Sequence, residues 1–334
     1  MALQAPAQQL VTVFGGSGFL GRHVVRALVK RGYRVRVAVR RPDLAGFLQP
    51  LGVVGQIHAV QANLRYPASV TAAVMGSDAV INLVGIMKEQ GRQSFTAVQA
   101  NGARAVAQAC ATVGVNRLVQ ISALGADAES RSVYARTKAE GEAAVHQIVP
   151  QAVILRPSVM FGPEDTFFNR FASMARMLPI LPLVGDGAAK LQPAFAGDVA
   201  EVVARAIDGT VAAGKIYELG GPEVMSLRQI VEDVCKVTGR KRLIASLPLP
   251  LAGVMARVLE LVDTLTLGLL PDELKLTRDQ VLLLGQDNVV SPEAVKEGRD
   301  FAGLGIAPVS VEVEVPSYLW RFRKTGQFET ARPA

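Results

Sequence analysis

Cysteine is scarce. The 334 residues hold two, Cys110 and Cys235, both in helical patterns. Two isolated thiols exclude a disulfide framework and fit a reducing compartment. His23, His58 and His146 have no metal-ligand spacing, so no metal is expected and each reads as a surface or helix histidine. No run reaches the roughly eighteen uncharged apolar residues of a bilayer span. Met1 to Gln9 lack the charged and apolar regions of a signal peptide. No internal repeat or low-complexity tract stands out. The net charge is +7, yet the basic residues are scattered, gathering only at Lys236, Arg240, Lys241 and Arg242 and at Arg321, Arg323 and Lys324. No basic-aromatic platform for single strands is present, so no nucleic-acid partner is expected. What remains is a basic protein, half of it hydrophobic, that is expected in the cytoplasm. That composition suits one large domain, or a core domain with a smaller lobe.

Glycine, in contrast, is placed with care. Val11 to Gly21 read Val-Thr-Val-Phe-Gly-Gly-Ser-Gly-Phe-Leu-Gly, and the helical pattern Arg22 to Leu28 comes at once after it. An apolar strand running through three spaced glycines into a helix is the dinucleotide-binding fingerprint in its proper context. Gly15 permits the tight turn, Gly18 admits a pyrophosphate, and Gly21 lets helix pack on strand. The pyrophosphate would rest on the helix N-terminus, with Phe19 and Leu20 in the contacting turn. A plain Gly-rich turn is the bland alternative.

The second strand, Tyr33 to Val39, ends at Arg40-Arg41-Pro42. An NAD site places Asp or Glu there for the ribose hydroxyls. Guanidinium groups instead match a 2′-phosphate, so Arg40 and Arg41 predict NADP(H) over NAD(H). Two solvated surface arginines are the alternative, and Asp43 is expected in the next loop.

Strands and helices then alternate, as in a parallel sheet with crossover helices. A third strand, Gln56 to Val60, precedes Asn63-Leu64, which would face the adenine. A fourth, Ala79 to Val84, runs into Gly85, and both Val84 and Gly85 are expected at the cofactor. A long helix spans about Gln93 to Val113, a fifth strand Arg117 to Ile121, a helix Val133 to Gln147, and a sixth strand Ala152 to Leu155. Pro157, just beyond, joins the expected cofactor set. These features predict an α/β protein: a Rossmann-type doubly wound parallel sheet at 8–160, with a smaller, interleaved C-terminal lobe at 161–326. Segments near 190–220, including a strand at Lys215 to Leu219, should return to the main sheet. Helices are expected at Phe167 to Arg176, Asp198 to Asp208 and Leu227 to Thr238. The apolar stretch Leu247 to Leu270 reads as a helix on a membrane surface or partner, or equally as cover for the lobe's core.

Tyr134 and Lys138 share one helical face, and Ser122 sits at a strand's C-terminal edge, where ligands of parallel sheets gather. A reductase needs a proton donor beside the carbonyl it reduces. A free tyrosine, near pKa 10, is a poor base at neutral pH, and a nearby ammonium lowers that value. Lys138 would do this and also hold the nicotinamide ribose. Ser122 would bond the substrate oxygen, Asn101 would anchor a water relay, and Tyr134 would act as general acid or base. An exposed tyrosine on an amphipathic helix is the alternative.

Together, Gly15, Gly18, Gly21, Asn101, Ser122, Tyr134 and Lys138 resemble the short-chain dehydrogenase/reductase superfamily, in its extended or atypical branch with the NAD-dependent epimerase/dehydratase proteins. Arg156-Pro-Ser-x-x-Phe-Gly-Pro163 looks like the turn after the sixth strand of that branch, which enters the substrate side. A narrower resemblance covers nearly the whole chain. Phe161 to Phe171, Gln192 to Val199, Leu276 to Val281 and Pro316-Ser-Tyr-Leu look like the accessory-subunit-nine family of respiratory complex I and its bacterial relatives. Mitochondrial members bind NADPH and are generally regarded as structural or assembly subunits, which implies the preference that Arg40 suggests. They have lost part of the tyrosine-lysine apparatus, whereas this chain keeps Ser122, Tyr134 and Lys138. The lack of a presequence suggests a bacterial relative or a mature chain.

Two functions are implied. The resemblance implies an NADP(H)-bound structural or assembly factor of the respiratory chain, associated with complex I or peripheral on the inner membrane. The intact triad implies an NADP-dependent reductase, epimerase or dehydratase on a small, isoprenoid or quinone-related substrate. Phe167, Phe168, Phe171 and the run Leu178 to Val184 would line an apolar pocket, or form plain core.

Overall fold

The computed structural model describes residues 6–265, 275–326 and 328. In chain order the strands are β1 (Leu10–Phe14), β2 (Arg34–Val39), β3 (Ile57–Gln61), β4 (Ala79–Asn82), β5 (Leu118–Ile121), β6 (Val153–Pro157) and β7 (Met160–Phe161). Then come β8 (Ile180–Val184), β9 (Lys190–Leu191), β10 (Ala194–Phe195), β11 (Ile216–Leu219), β12 (Met225–Ser226) and β13 (Leu243–Leu247). The first eight α-helices are α1 (Phe19–Lys30), α2 (Pro67–Val74), α3 (Asn101–Val113), α4 (Val133–Ile148), α5 (Phe168–Met177), α6 (Ala196–Asp208), α7 (Leu227–Val237) and α8 (Leu249–Leu265).

The chain forms two compact units. One holds residues through Pro157, Ala196–Leu219 and Val290–Ile306; the other holds Ser158–Phe195, Gly220–Val289 and residues from Ala307.

The first unit is built on a seven-stranded sheet in the order β11-β6-β5-β4-β1-β2-β3. Every pairing in it is parallel. Such a sheet is covered on both faces, so its central strands are largely apolar. All four residues of β4, Ala-Val-Ile-Asn, are buried. Helix α1 buries Leu20, Val24, Val25, Leu28 and Val29 along one stripe. Each such side chain contributes roughly 1.5–3 kcal/mol when taken from water. On the other face Phe14, Val80, Val106 and Leu118 share a core with α2 and α3. The strand order reverses between β1 and β4, the switch point at which such sheets bind ligands. The late strand β11 joins this sheet beside β6, as its pattern implied.

Several boundaries differ from the sequence reading, and three of them have a visible cause. Strand β4 stops at Asn82, because that side chain accepts the Val84 N–H (3.2 Å) and bends the chain before Gly85. Strand β6 continues to Pro157, because Leu219 of β11 pairs with it. The single long helix from Gln93 is instead a π turn, Thr96–Ala100, leading into α3.

In the second unit β8 and β13 pair in parallel, β7 pairs with β10, and β9 pairs antiparallel with β12. Its core contains Phe161, Phe168, Phe171, Leu181, Leu183 and Ile230. Of the residues considered for an apolar pocket, Phe168, Phe171, Leu181 and Leu183 are therefore core. Helix α7 opens with a capping box in which Ser226 and Gln229 satisfy each other's backbone N–H groups. Helix α8 turns Ala252 and Ala256 inward, while Leu251, Val254, Val258 and Leu261 on its other side are each more than half exposed. Residues 266–270 of the expected apolar stretch lie outside the described residues. No described helix is long and apolar enough to cross a membrane.

Candidate nucleotide and proton-transfer site

The glycine loop occupies the switch point. Strand β1 ends at Phe14, and Gly15 turns with φ +78°, in the region that favours glycine. Its N–H bonds Ala38 O of β2 (3.2 Å), while Leu83 N–H bonds Phe14 O (3.0 Å), so the turn is tied to both neighbours of β1. A Cβ on Gly21 would fall 2.3 Å from Gly15 O, a distance that no side chain tolerates. A Cβ on Gly18 would lie 3.2 Å from the same oxygen, so the loop surface there stays low. Gly18 is the N-cap of α1 and provides no side-chain cap. The N–H groups of the first turn, Phe19, Leu20 and Gly21, thus open where a pyrophosphate sits in such folds. This bare cradle fits a dinucleotide.

Arg40 is exposed at the end of β2, and its Nη1 donates to Gln93 Oε1 at 2.6 Å. Arg41 is also exposed but engaged, its fork closing on Asp43 with Nη2 to Oδ2 at 2.7 Å. The two arginines are thus unequal: one holds a neutral amide, the other a carboxylate. Asn63 is half-buried and its Oδ1 accepts the Arg65 N–H (3.1 Å), committing that oxygen to its own turn. Leu64 packs where a Cβ on Gly102 would meet it at 2.9 Å. Val84 lies against Gly15, its Cγ2 3.2 Å from where a Gly15 Cβ would be. Pro157 is buried, and its carbonyl accepts the Leu124 N–H (3.0 Å).

The proton-transfer residues stand on β5 and α4. Ser122 comes directly after β5, held by its own N–H to Leu155 O of β6 (2.7 Å). It is 4 % exposed, and its Oγ is buried without a hydrogen-bond partner among the described residues. A buried hydroxyl left so costs about 1–3 kcal/mol. Helix α4 is started by Ser132, whose side chain accepts the Ala135 N–H (3.2 Å). This places Tyr134 in the first turn and Lys138 one turn later. Lys138 is 8 % exposed; its Nζ lies 3.5 Å from Ile121 O and 5.7 Å from the centroid of the Tyr134 ring. Phe95 meets the same ring edge-on, 5.8 Å between centroids. Gly85 also faces the ammonium, since a Cβ there would lie 3.3 Å from Nζ. Burial lowers the Lys138 pKa from 10.5 to about 8, with the Glu142 carboxylate opposing that fall.

Asn101 is exposed, as the first residue of α3. The buried polar link in this region is Gln99, on the π turn. Its Nε2 donates to Ile86 O (2.8 Å), and its Oε1 accepts from Thr137 Oγ1 (2.9 Å), next to Lys138. A 3.6-residue period run through this helix misses Gln99, because the π turn inserts an extra residue and rotates the positions after it. The bidentate pair of Glu142 with Arg156 also carried no local signal, since its partners come from separate elements. Among the described residues no group of His, Cys, Asp and Glu is placed to hold a metal.

The comparisons with known proteins agree with this geometry. The NAD dependent epimerase/dehydratase family model matches residues 11–220. The chain is 33 % identical to NADH dehydrogenase (ubiquinone) 1 alpha subcomplex subunit 9, mitochondrial, of Arabidopsis thaliana, over 95 % of this chain and 79 % of that one. It is 36 % identical to a ceramide reductase of Caulobacter vibrioides over 54 % of this chain and 55 % of that one. In fold it is similar to an NADPH-dependent quinone oxidoreductase of Escherichia coli crystallised with NADPH. That match has a TM-score of 0.70 and 21 % identity, covering 93 % of this chain and 99 % of that one. With the glycine cradle at the switch point, these matches make the chain a member of the NAD dependent epimerase/dehydratase family, an NAD(P)-binding Rossmann fold, in its branch with the alpha subcomplex subunit 9 proteins of complex I.

Proposed function

We propose that this protein is an NADP(H)-dependent reductase of a lipid-like carbonyl compound, isoprenoid or quinone-related substrates included, using Ser122, Tyr134 and Lys138. The buried, unpartnered Ser122 Oγ carries the reading, because a costly orphan hydroxyl at a strand end is explained by a ligand oxygen that completes it. Ser122 orients the substrate oxygen. Tyr134 delivers a proton to that oxygen from its hydroxyl. The Lys138 ammonium stabilises the phenolate left behind and holds the ribose hydroxyls. Gly15, Gly18, Phe19, Leu20, Gly21, Asn63, Leu64, Val84, Gly85 and Pro157 form the cofactor wall, and Arg40 takes the 2′-phosphate. When bound, the nicotinamide supplies the two electrons and the hydrogen that reach the carbonyl carbon. The relative named as a ceramide reductase supports a lipid substrate. Incubating the purified protein with NADPH and a 3-oxo-sphingolipid, or a short-chain ubiquinone, tests this directly. Loss of absorbance at 340 nm with a reduced product is expected, and no product from any carbonyl lipid sinks the reading.

A second reading rests on the near full-length identity with the complex I accessory subunit. In it the nucleotide-bound chain supports the respiratory complex, with the exposed face of α8 at the membrane or a partner subunit. Co-migration with complex I on a native gel, without turnover, is its expected signature.

A further inference from the structure

One helical turn beyond Lys138 lies a buried charge that the proton-transfer scheme does not use. Glu142 is 5 % exposed, and Arg156 of β6 takes both of its oxygens, Nε to Oε1 at 2.9 Å and Nη2 to Oε2 at 2.6 Å. The same guanidinium reaches Glu218 of β11, Nη1 to Oε1 at 3.6 Å. Glu218 is fixed in turn, its Oε2 accepting the Ser291 N–H at 2.8 Å. Lys138, Glu142, Arg156 and Glu218 therefore alternate in sign from the site into the sheet edge. A lysine four residues from a glutamate on one helix ordinarily reaches it. Here Lys138 turns to the Ile121 carbonyl, and Glu142 faces the arginine fork.

We infer that Arg156 is a positioning residue: by occupying both oxygens of Glu142 it holds that carboxylate off Lys138, which leaves the ammonium free for its ligand. The inference rests on the reductase reading only for its effect on turnover. The groups facing Lys138 are Tyr134 and Glu142 from α4, the Ile121 carbonyl from β5 and Gly85 from the loop after β4, with Arg156 of β6 and Glu218 of β11 behind Glu142. The depressed pKa of Lys138, which Glu142 only partly opposes, agrees with a carboxylate kept at a distance.

The test tracks the ε-carbon resonance of Lys138 against pH in the full-length protein, assigned by its loss in Lys138→Met. Glu142→Gln should lower the titration midpoint by about one pH unit, because a supporting charge is removed. Arg156→Gln should raise it by about as much, because Glu142 is released toward Lys138. The double variant should titrate like Glu142→Gln, since Arg156 acts through that carboxylate. A double variant titrating above Glu142→Gln overturns the inference, because the arginine then acts by its own field. An unmoved or lowered midpoint in Arg156→Gln overturns it too. If that variant fails to fold with its buried carboxylate unpaired, Arg156→Lys serves: it keeps the charge but loses the fork, and should raise the midpoint by a smaller amount. No rise in Arg156→Lys is then the overturning result. Midpoints that move as stated, in a protein without turnover, would retire the reductase reading and leave this one standing.

Discussion

The Nζ of Lys138 lies 5.7 Å from the centre of the Tyr134 ring, one turn along the same helix, and burial keeps its pKa near 8. If that pair moves a proton, the phenolic hydroxyl is the part that cannot be spared. Tyr134→Phe keeps the ring against Phe95 and removes only the hydroxyl. Turnover should fall by roughly 10²–10⁴-fold, the usual contribution of a positioned acid. NADPH binding by calorimetry should stay within a factor of a few. Equal turnover in the variant would remove Tyr134 as the acid.

Lys138 also sets a pH dependence of stability. Its pKa is about 8 when folded and 10.5 when free. Between those values the unfolded chain binds more protons, so stability rises with pH across that window. Below pH 8 the full penalty applies, about 3 kcal/mol, since each pH unit separating the two values is worth roughly 1.4 kcal/mol. Lys138→Met should therefore melt higher than the parent at pH 7 and lose the rise between pH 8 and 10.5. Thermal melts of the nucleotide-free protein at several pH values measure this, and identical profiles would contradict it.

The two glycines at the start of α1 should part company on substitution. Gly21→Ala drives a Cβ into Gly15 O and should destabilise the fold by about 1–3 kcal/mol while abolishing nucleotide binding. Gly18→Ala meets that oxygen at a tight 3.2 Å with an ordinary backbone φ of −76°, so its cost should be about 1 kcal/mol. Its larger effect should be on affinity, since the methyl group projects where the pyrophosphate would approach. Chemical denaturation and NADPH titration separate the two.

Arg40 and Arg41 should likewise differ. Arg40→Ala should weaken NADPH by about 2 kcal/mol, roughly thirtyfold, and leave NADH nearly unchanged. Arg41→Ala should do less, because its fork is already closed on Asp43. A drop of equal size for both nucleotides would mean that Arg40 does not read the 2′-phosphate.

Local patterns were legible wherever backbone geometry forces the residue type. Gly15 and Gly21 announce the nucleotide turn because only glycine fits the left-handed φ of one and the 2.3 Å approach of the other. Mostly apolar runs such as Val11 to Phe14 and Ala79 to Ile81 announce a doubly covered parallel sheet. The long-range pairings were not legible. Gln99 is separated from Thr137 by 38 positions and Arg156 from Glu142 by 14, and nothing in either segment names the partner.

By itself the order of residues determined a dinucleotide fold, its family and the spacing of a serine, a tyrosine and a lysine, because periodicity and steric limits within a few residues dictate these. Only the tertiary structure decided that the Ser122 hydroxyl is buried without a partner among the described residues, that Asn101 is exposed while Gln99 is the buried link, and that Glu142 turns to Arg156 rather than to Lys138. Burial and the choice among competing partners depend on what packing brings from distant parts of the chain, and no local pattern encodes that.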